Sequence, residues 1–130
     1  MGTGVLTPAR TALDVARLHG FEAGLVLADS ALARGLATAA DLDRIATAMV
    51  GWNRTRARLV ADHASGRRES PAESWSFAVF VLRGLPLPEC NEWAVGHGRG
   101  GIRPDFFWRR HRLAGEADGQ VKYTNPYGPP

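Results

Sequence analysis

IRPDFFWRRHRLAGEADGQVK, residues 102–122, is the stretch on which the fold turns. Apolar and polar residues alternate on either side of Arg110-His111. That period of two predicts a pair of short strands, Ile102 to Trp108 and Arg112 to Ala117. With the turn centred on Arg110-His111, Arg109 faces Arg112, Trp108 pairs with Leu113, Phe106 with Gly115, and Asp105 with Glu116. Directly opposed residues share a face, with Cβ atoms roughly 4.5–5.5 Å apart. One face then carries Phe106, Trp108 and Leu113 and suits a core under a helix. The other carries Asp105 and Glu116, with Phe107 and Ala114 toward the turn and Arg103 and Asp118 at the far end. A two- or four-residue turn centred there gives the same register, and a three-residue turn breaks it.

Two opposed carboxylates repel unless a cation or a proton sits between them. Such a pair can hold Mg²⁺ through oxygen ligands and leave positions for water and phosphate. The metal lowers the pKa of a bound water and offsets charge in phosphodiester cleavage. A nearby ammonium, Lys122, can assist electrostatically.

The chain ahead of this stretch reads as helices. Thr7-Pro8 is a cap followed by proline at the first helical position, and Gly20 ends that run. Phe21 to Arg34 carries Phe21, Leu25, Ala28 and Leu32 on one stripe, with Gly35 as the stop. Thr38 caps a third helix, Ala39 to Val50, and a fourth runs from Asn53 to His63. Ser65-Gly66-Arg67-Arg68 breaks the pattern and predicts a linker. The expected domains are therefore a helical segment, 1–66, and a second domain, 67–130. Ser70-Pro71-Ala72-Glu73 opens a fifth helix to Arg83 with the signature of a capping box. Cys90 to Val95 predicts another strand, followed by the glycine-rich turn Gly96 to Gly101. Pro104 argues for an edge position of the strand that contains it. The fold class is α+β: an N-terminal helical segment, a further helix and a three-stranded antiparallel sheet.

The totals exclude several alternatives. The chain has 130 residues with 45% hydrophobic and 22% charged, ordinary for a globular protein. It has no apolar run of membrane-spanning length and no secretory-signal pattern at its start, so a cytoplasmic location is expected. Cys90 is the single cysteine, which removes a disulfide framework and a thiol-rich metal site. The net charge is +3, carried by fifteen Arg and one Lys. Residues 1–68 hold nine Arg against six acidic residues, whereas residues 69–130 balance seven against seven. The second half is thus no strong attractor of polyanions by net charge.

At Glu73, Pro104-Asp105, Glu116-Ala117-Asp118-Gly119 and Lys122-Tyr123 the chain resembles the PD-(D/E)xK nuclease superfamily, in particular its Vsr-like endonuclease branch. The upstream run TPARTALDVA, Thr7 to Ala16, resembles the segment preceding this domain in actinobacterial proteins related to AbiEi-type antitoxins. The resemblance implies a restriction-endonuclease-like core and Mg²⁺ or Mn²⁺ as cofactor. It implies Asp105 and Glu116 as metal ligands, Glu73 as a third or outer ligand, and Lys122 as catalytic cation. Asp118 stands in the site where the superfamily pattern has Lys. DNA is the implied partner, with Arg103, Arg109, Arg110 and Arg112 toward its backbone. The family core continues with a helix and a final strand, and only seven residues follow Tyr123. A shortened core is therefore expected, its open sheet edge covered by a second copy or a partner protein. Two functions fit: a metal-dependent DNA endonuclease, working or degenerate, and a non-catalytic antitoxin-type or transcriptional regulatory protein.

Plainer roles compete with each of these. Glu73 can serve as a capping residue alone. Asp105, Glu116 and Lys122 can be solvated surface charges. His97 and His111 lie in turns and lack ligand spacing. Arg54, Arg56 and Arg58 read as solvated, and Asp14 and Asp29 as helix-surface or locally paired residues.

Overall fold

The structure, a computed structural model, describes residues 6–118. Five helices come first: α1 (Pro8–His19), α2 (Phe21–Ala33), α3 (Ala39–Ala48), α4 (Arg54–His63) and α5 (Pro71–Leu82). Three short strands follow: β1 (Glu89–Cys90), β2 (Phe106–Trp108) and β3 (Leu113–Gly115). The architecture is α+β, as the two periodicities predict.

The helices form where the caps and stripes place them. Thr7 Oγ1 accepts the Arg10 N–H, and Gly20 takes φ +111° after α1. Thr38 and Asp41 complete a reciprocal capping box on α3, and the Thr38 backbone N–H holds the Asp41 carboxyl below its ordinary value. Leu13, Leu25, Leu42 and Val60 are fully buried and form the centre of the helical core. The α1–α2 seam is close enough that a Cβ added at Gly24 would stand 2.4 Å from the Ala16 Cβ. Leu18 of α1 is exposed.

The segment read as a linker is a packed corner. The backbone of Gly66 lies against the last turn of α2, where an added Cβ would meet the Ala33 nitrogen at 3.3 Å. Arg68 is buried, and its guanidinium donates to both carboxylate oxygens of Asp29 and to the His63 carbonyl. It also lies over the Phe77 ring, 3.9 Å from the centroid. Asp29 accepts further bonds from the Ser65 N–H at 2.8 Å and the Ser74 hydroxyl at 2.7 Å. The network ties α5 to α2, so the chain divides into compact units between Pro86 and Leu87, after α5 rather than before it. Asp29, expected as a helix-surface or locally paired residue, is among the most buried groups of the helical unit, and its partner Arg68 is distant in sequence.

In the sheet unit the order is β1-β2-β3, all antiparallel. The strand holding Phe106 is therefore central, not an edge. Pro104 is tolerated because the β1–β2 ladder is interrupted beside it. Cys90 pairs with Phe106, whereas Val95 bridges to Ile102, which leaves one extra residue on the Asn91–Val95 side. Asn91 takes a left-handed φ of 51° where that excursion begins. The strand expected over Cys90 to Val95 is accordingly reduced to Glu89–Cys90 plus the isolated bridge.

Candidate functional site

The β2–β3 turn is the four-residue form. Arg109–His111 make a single 3₁₀ turn, Arg112 closes it at φ 49°, and the Arg112 N–H donates to the Arg109 carbonyl at 3.2 Å. The pairs that follow are Trp108 with Leu113, Phe107 with Ala114 and Phe106 with Gly115. One further step sets Asp105 against Glu116. This is the register that the alternation around Arg110-His111 predicts.

The core face of this hairpin is narrower than expected. Phe106 and Cys90 are buried, but Leu113 is exposed. The Trp108 ring leans diagonally across Gly115, where an added Cβ would stand 3.2 Å from it. A glycine opposite Phe106 thus gives the indole its resting place and leaves Leu113 outside.

On the other face the carboxyl groups of Asp105 and Glu116 are near enough for Asp105 to influence the ionisation of Glu116. Asp105 is half-buried and fixed at both ends: its carbonyl accepts the Asn91 N–H at 3.0 Å, and its Oδ2 accepts the Ala117 N–H at 2.9 Å. The Glu116 carboxyl is raised above its ordinary value. Lost hydration comes first, then the hydrogen bond and charge of Asp105, and then the charge of Asp118. A bond from the Asp105 backbone opposes the shift.

The other predicted site residues fall in different settings. Glu73 belongs to the helical unit and is buried. Its own N–H donates to Ser70 Oγ at 3.2 Å, while its Oε2 accepts from the Glu69 N–H at 2.6 Å. The second half of the expected capping box is thus displaced by one residue. Among the described residues no group of three or more His, Cys, Asp or Glu side chains is placed to hold a metal ion. Asp118 is exposed, and Lys122 lies outside the described residues.

The arginines also separate. Arg109 reaches the Glu89 carboxylate at 3.0 Å, the Trp93 carbonyl at 3.3 Å and the face of Phe107 at 5.0 Å. It clamps the Glu89–Trp93 segment onto the sheet. Arg103 donates to the Asn91 carbonyl at 3.5 Å. Arg110 and Arg112 are exposed in the turn. Sequence reasoning missed Glu89 as the partner of Arg109. Glu89 lies directly opposite Phe107, two residues before Arg109, and that gives the signal once the β1 register is known.

The chain is 33% identical over 120 residues to two proteins of Mycobacterium tuberculosis, the uncharacterized proteins Rv2248 (strain ATCC 25618 / H37Rv) and MT2308 (strain CDC 1551 / Oshkosh). The match takes in 92% of this chain and 44% of each relative, so the chain spans less than half their length. No protein-family profile and no solved structure matches it. No helix among the described residues is long and apolar enough to cross a membrane.

Proposed function

We propose that the chain is a metal-dependent DNA endonuclease-like protein, with the sheet unit as part of a restriction-endonuclease-like core of the PD-(D/E)xK, Vsr-like type. The observation that carries this reading is the register-opposed Asp105–Glu116 pair. Its donor set suits a hard divalent cation. Mg²⁺ takes one or two carboxylates and keeps several waters, which are then replaced in part by phosphate oxygens. Asp105 and Glu116 are the residues that hold Mg²⁺ or Mn²⁺ on this reading. The bound ion supplies an acidified water and a counter-charge for phosphate.

The chain's own residues do the positioning. The Ala117 N–H fixes Asp105 Oδ2. Glu116, whose carboxyl is raised first by lost hydration and then by Asp105, would hold the cation in competition with a proton. Lys122 is the catalytic cation by resemblance alone. DNA, in the cytoplasm, is the substrate on this reading. Among the described residues no strand pairs with the outer edge of β3, which on this reading is where a second copy or partner protein adds one.

A non-catalytic, antitoxin-type regulatory role is the second reading. Asp118 favours it: an acid occupies the motif position of the lysine and adds repulsion at Glu116. Calorimetric titration with Mg²⁺, alongside plasmid nicking, separates the two. Binding and nicking that are both lost in Asp105→Ala and Glu116→Ala support the nuclease. Metal binding without nicking supports the regulatory reading. No binding at millimolar Mg²⁺ removes the nuclease.

A further inference from the structure

The glycine-rich hairpin between Val95 and Ile102 is absorbed neither by the carboxyl pair nor by the core. We propose that its tip enters a groove of duplex DNA beside the carboxyl pair, with Arg99 and His97 as its phosphate-contacting residues. The inference rests on the nuclease-like reading and assigns it a docking element.

The hairpin is a built feature. Its neck is closed by the Val95–Ile102 bridge, with the Ile102 N–H donating to the Val95 carbonyl at 2.7 Å. Its tip is a hydrogen-bonded turn, the Gly101 N–H donating to the Gly98 carbonyl at 3.0 Å. Gly100, third in that turn at φ +89°, occupies the position that a type II turn reserves for glycine. The Trp93 ring rests on Gly101, where an added Cβ would stand 2.5 Å from it. The same ring tilts against His97 with centroids 5.5 Å apart. Arg109, holding the Trp93 carbonyl, secures that support from below. The tip is therefore held in shape yet presents almost no side-chain bulk.

What it presents is basic. From Val95 to Arg112 the chain carries five Arg and two His against a single acid, Asp105. The balanced charge of residues 69–130 conceals this segregation. Arg109 and Arg103 are engaged as described, but Arg99 is exposed, with no carboxylate partner among the described residues. Val95 and Ile102 are exposed at the neck, so solvent-facing apolar contact flanks the basic tip.

Shape and reach favour a duplex. A two-stranded ribbon fits the major groove, about 12 Å wide. Ile102 is three residues from Asp105, a span of no more than about 10 Å at strand rise. That is about three base-pair steps of 3.4 Å. A duplex offering a phosphate to Asp105 and Glu116 thus meets the hairpin in the adjoining groove.

The test is fluorescence anisotropy of the full 130-residue chain with a labelled 20-bp duplex in EDTA, across a salt series. Removing metal separates this inference from the nuclease reading, which is read by nicking in Mg²⁺. Expected for Arg99→Ala is a drop of about 0.9 in the slope of log affinity against log salt. Between 50 and 200 mM salt, that one lost contact changes affinity about threefold less steeply. Arg99→Lys retains the slope, and Arg54→Ala, on exposed α4 surface, leaves it unchanged. The proposal is overturned by absent duplex binding at low salt, by an Arg99→Ala slope equal to wild type, or by preference for the single strand or an acidic peptide. Arg99-dependent binding without nicking sinks the nuclease reading and leaves this one standing.

Discussion

The helical unit and the sheet unit use the same residue type in opposite ways. In the helical unit Arg68 is buried and meets Asp29, Arg58 bridges Asp43 and Asp62, and Arg10 and Arg44 pair along their own helices. In the sheet unit Arg109 pairs with Glu89, but Arg99, Arg110 and Arg112 are exposed in turns with no carboxylate partner among the described residues, while the half-buried Asp105 faces another carboxylate. The first arrangement satisfies charge internally and fixes a fold. The second leaves charge of both signs to be satisfied from outside, and this is why the candidate chemistry lies there. A charge whose partner is buried with it belongs to stability. A charge whose neighbours repel it, or that lacks neighbours, is available for a ligand.

The sharpest way to break that contrast is to remove one carboxylate from each unit. Asp29→Ala strands the buried Arg68 guanidinium, and breaking a buried pair costs about 3–5 kcal/mol. Urea denaturation should show the midpoint collapsing. Asp105→Ala should move the midpoint far less, because it relieves a repulsion as it removes the bond to Ala117. If the two variants melt alike, the division of roles is wrong.

Next in size is the α1–α2 seam. Gly24→Val forces a side chain into the Ala16 contact, an overpacking of about 1–3 kcal/mol. Gly24→Ala sets a smaller clash against the helix-propensity gain of about 1 kcal/mol. Thermal melts should therefore rank Val below Ala, with neither above wild type.

Stability should also depend on pH through Glu116. Its folded value lies above the ordinary 4.5, so the contribution is present below about that pH and is lost as pH rises through the folded value. Hairpin protection in amide exchange should weaken over that interval, and Glu116→Gln should flatten the profile. Because protons and Mg²⁺ compete for the pair, metal affinity should rise over the same interval. A flat wild-type profile would show that the two carboxyls do not interact.

The smallest effect is expected at the clamp. Arg109→Ala removes an exposed ion pair with Glu89, worth about 0–1 kcal/mol. Its signature should be a shifted Trp93 indole resonance rather than a shifted melting point.

The sequence made the local structure legible and left the long-range satisfaction of charge hidden. Caps at Thr7, Thr38 and Ser70 act through bonds three residues away, and the Trp108–Leu113 register follows from alternation around one turn. These are short-range rules, and they hold. Arg68 was read in a linker because Ser65-Gly66 looks like a break. Its partner, Asp29, lies 39 residues earlier on a helix whose stripe gives no warning of a buried acid. The β1 excursion was equally hidden. Its cause is an extra residue at a left-handed Asn91, and period-two reading has no means of registering an insertion. Of the candidate site, the Asp105–Glu116 opposition was visible, because pairing geometry alone dictates it. The bond from the Glu69 N–H to Glu73, one residue off the capping-box register, was not.

The seam between Gly24 and Ala16 also bears on how such chains can diverge. At this spacing neither position can enlarge by itself without forcing the helix axes apart. The two sites should therefore drift together or not at all. Among descendants of one ancestor, a bulkier residue at 24 predicts a compensating change on α1 at residue 16, whose side chain it meets. The crossing of the first two helices is then a historical constraint as much as an energetic one, narrowing which substitutions elsewhere in the helical core can be tried.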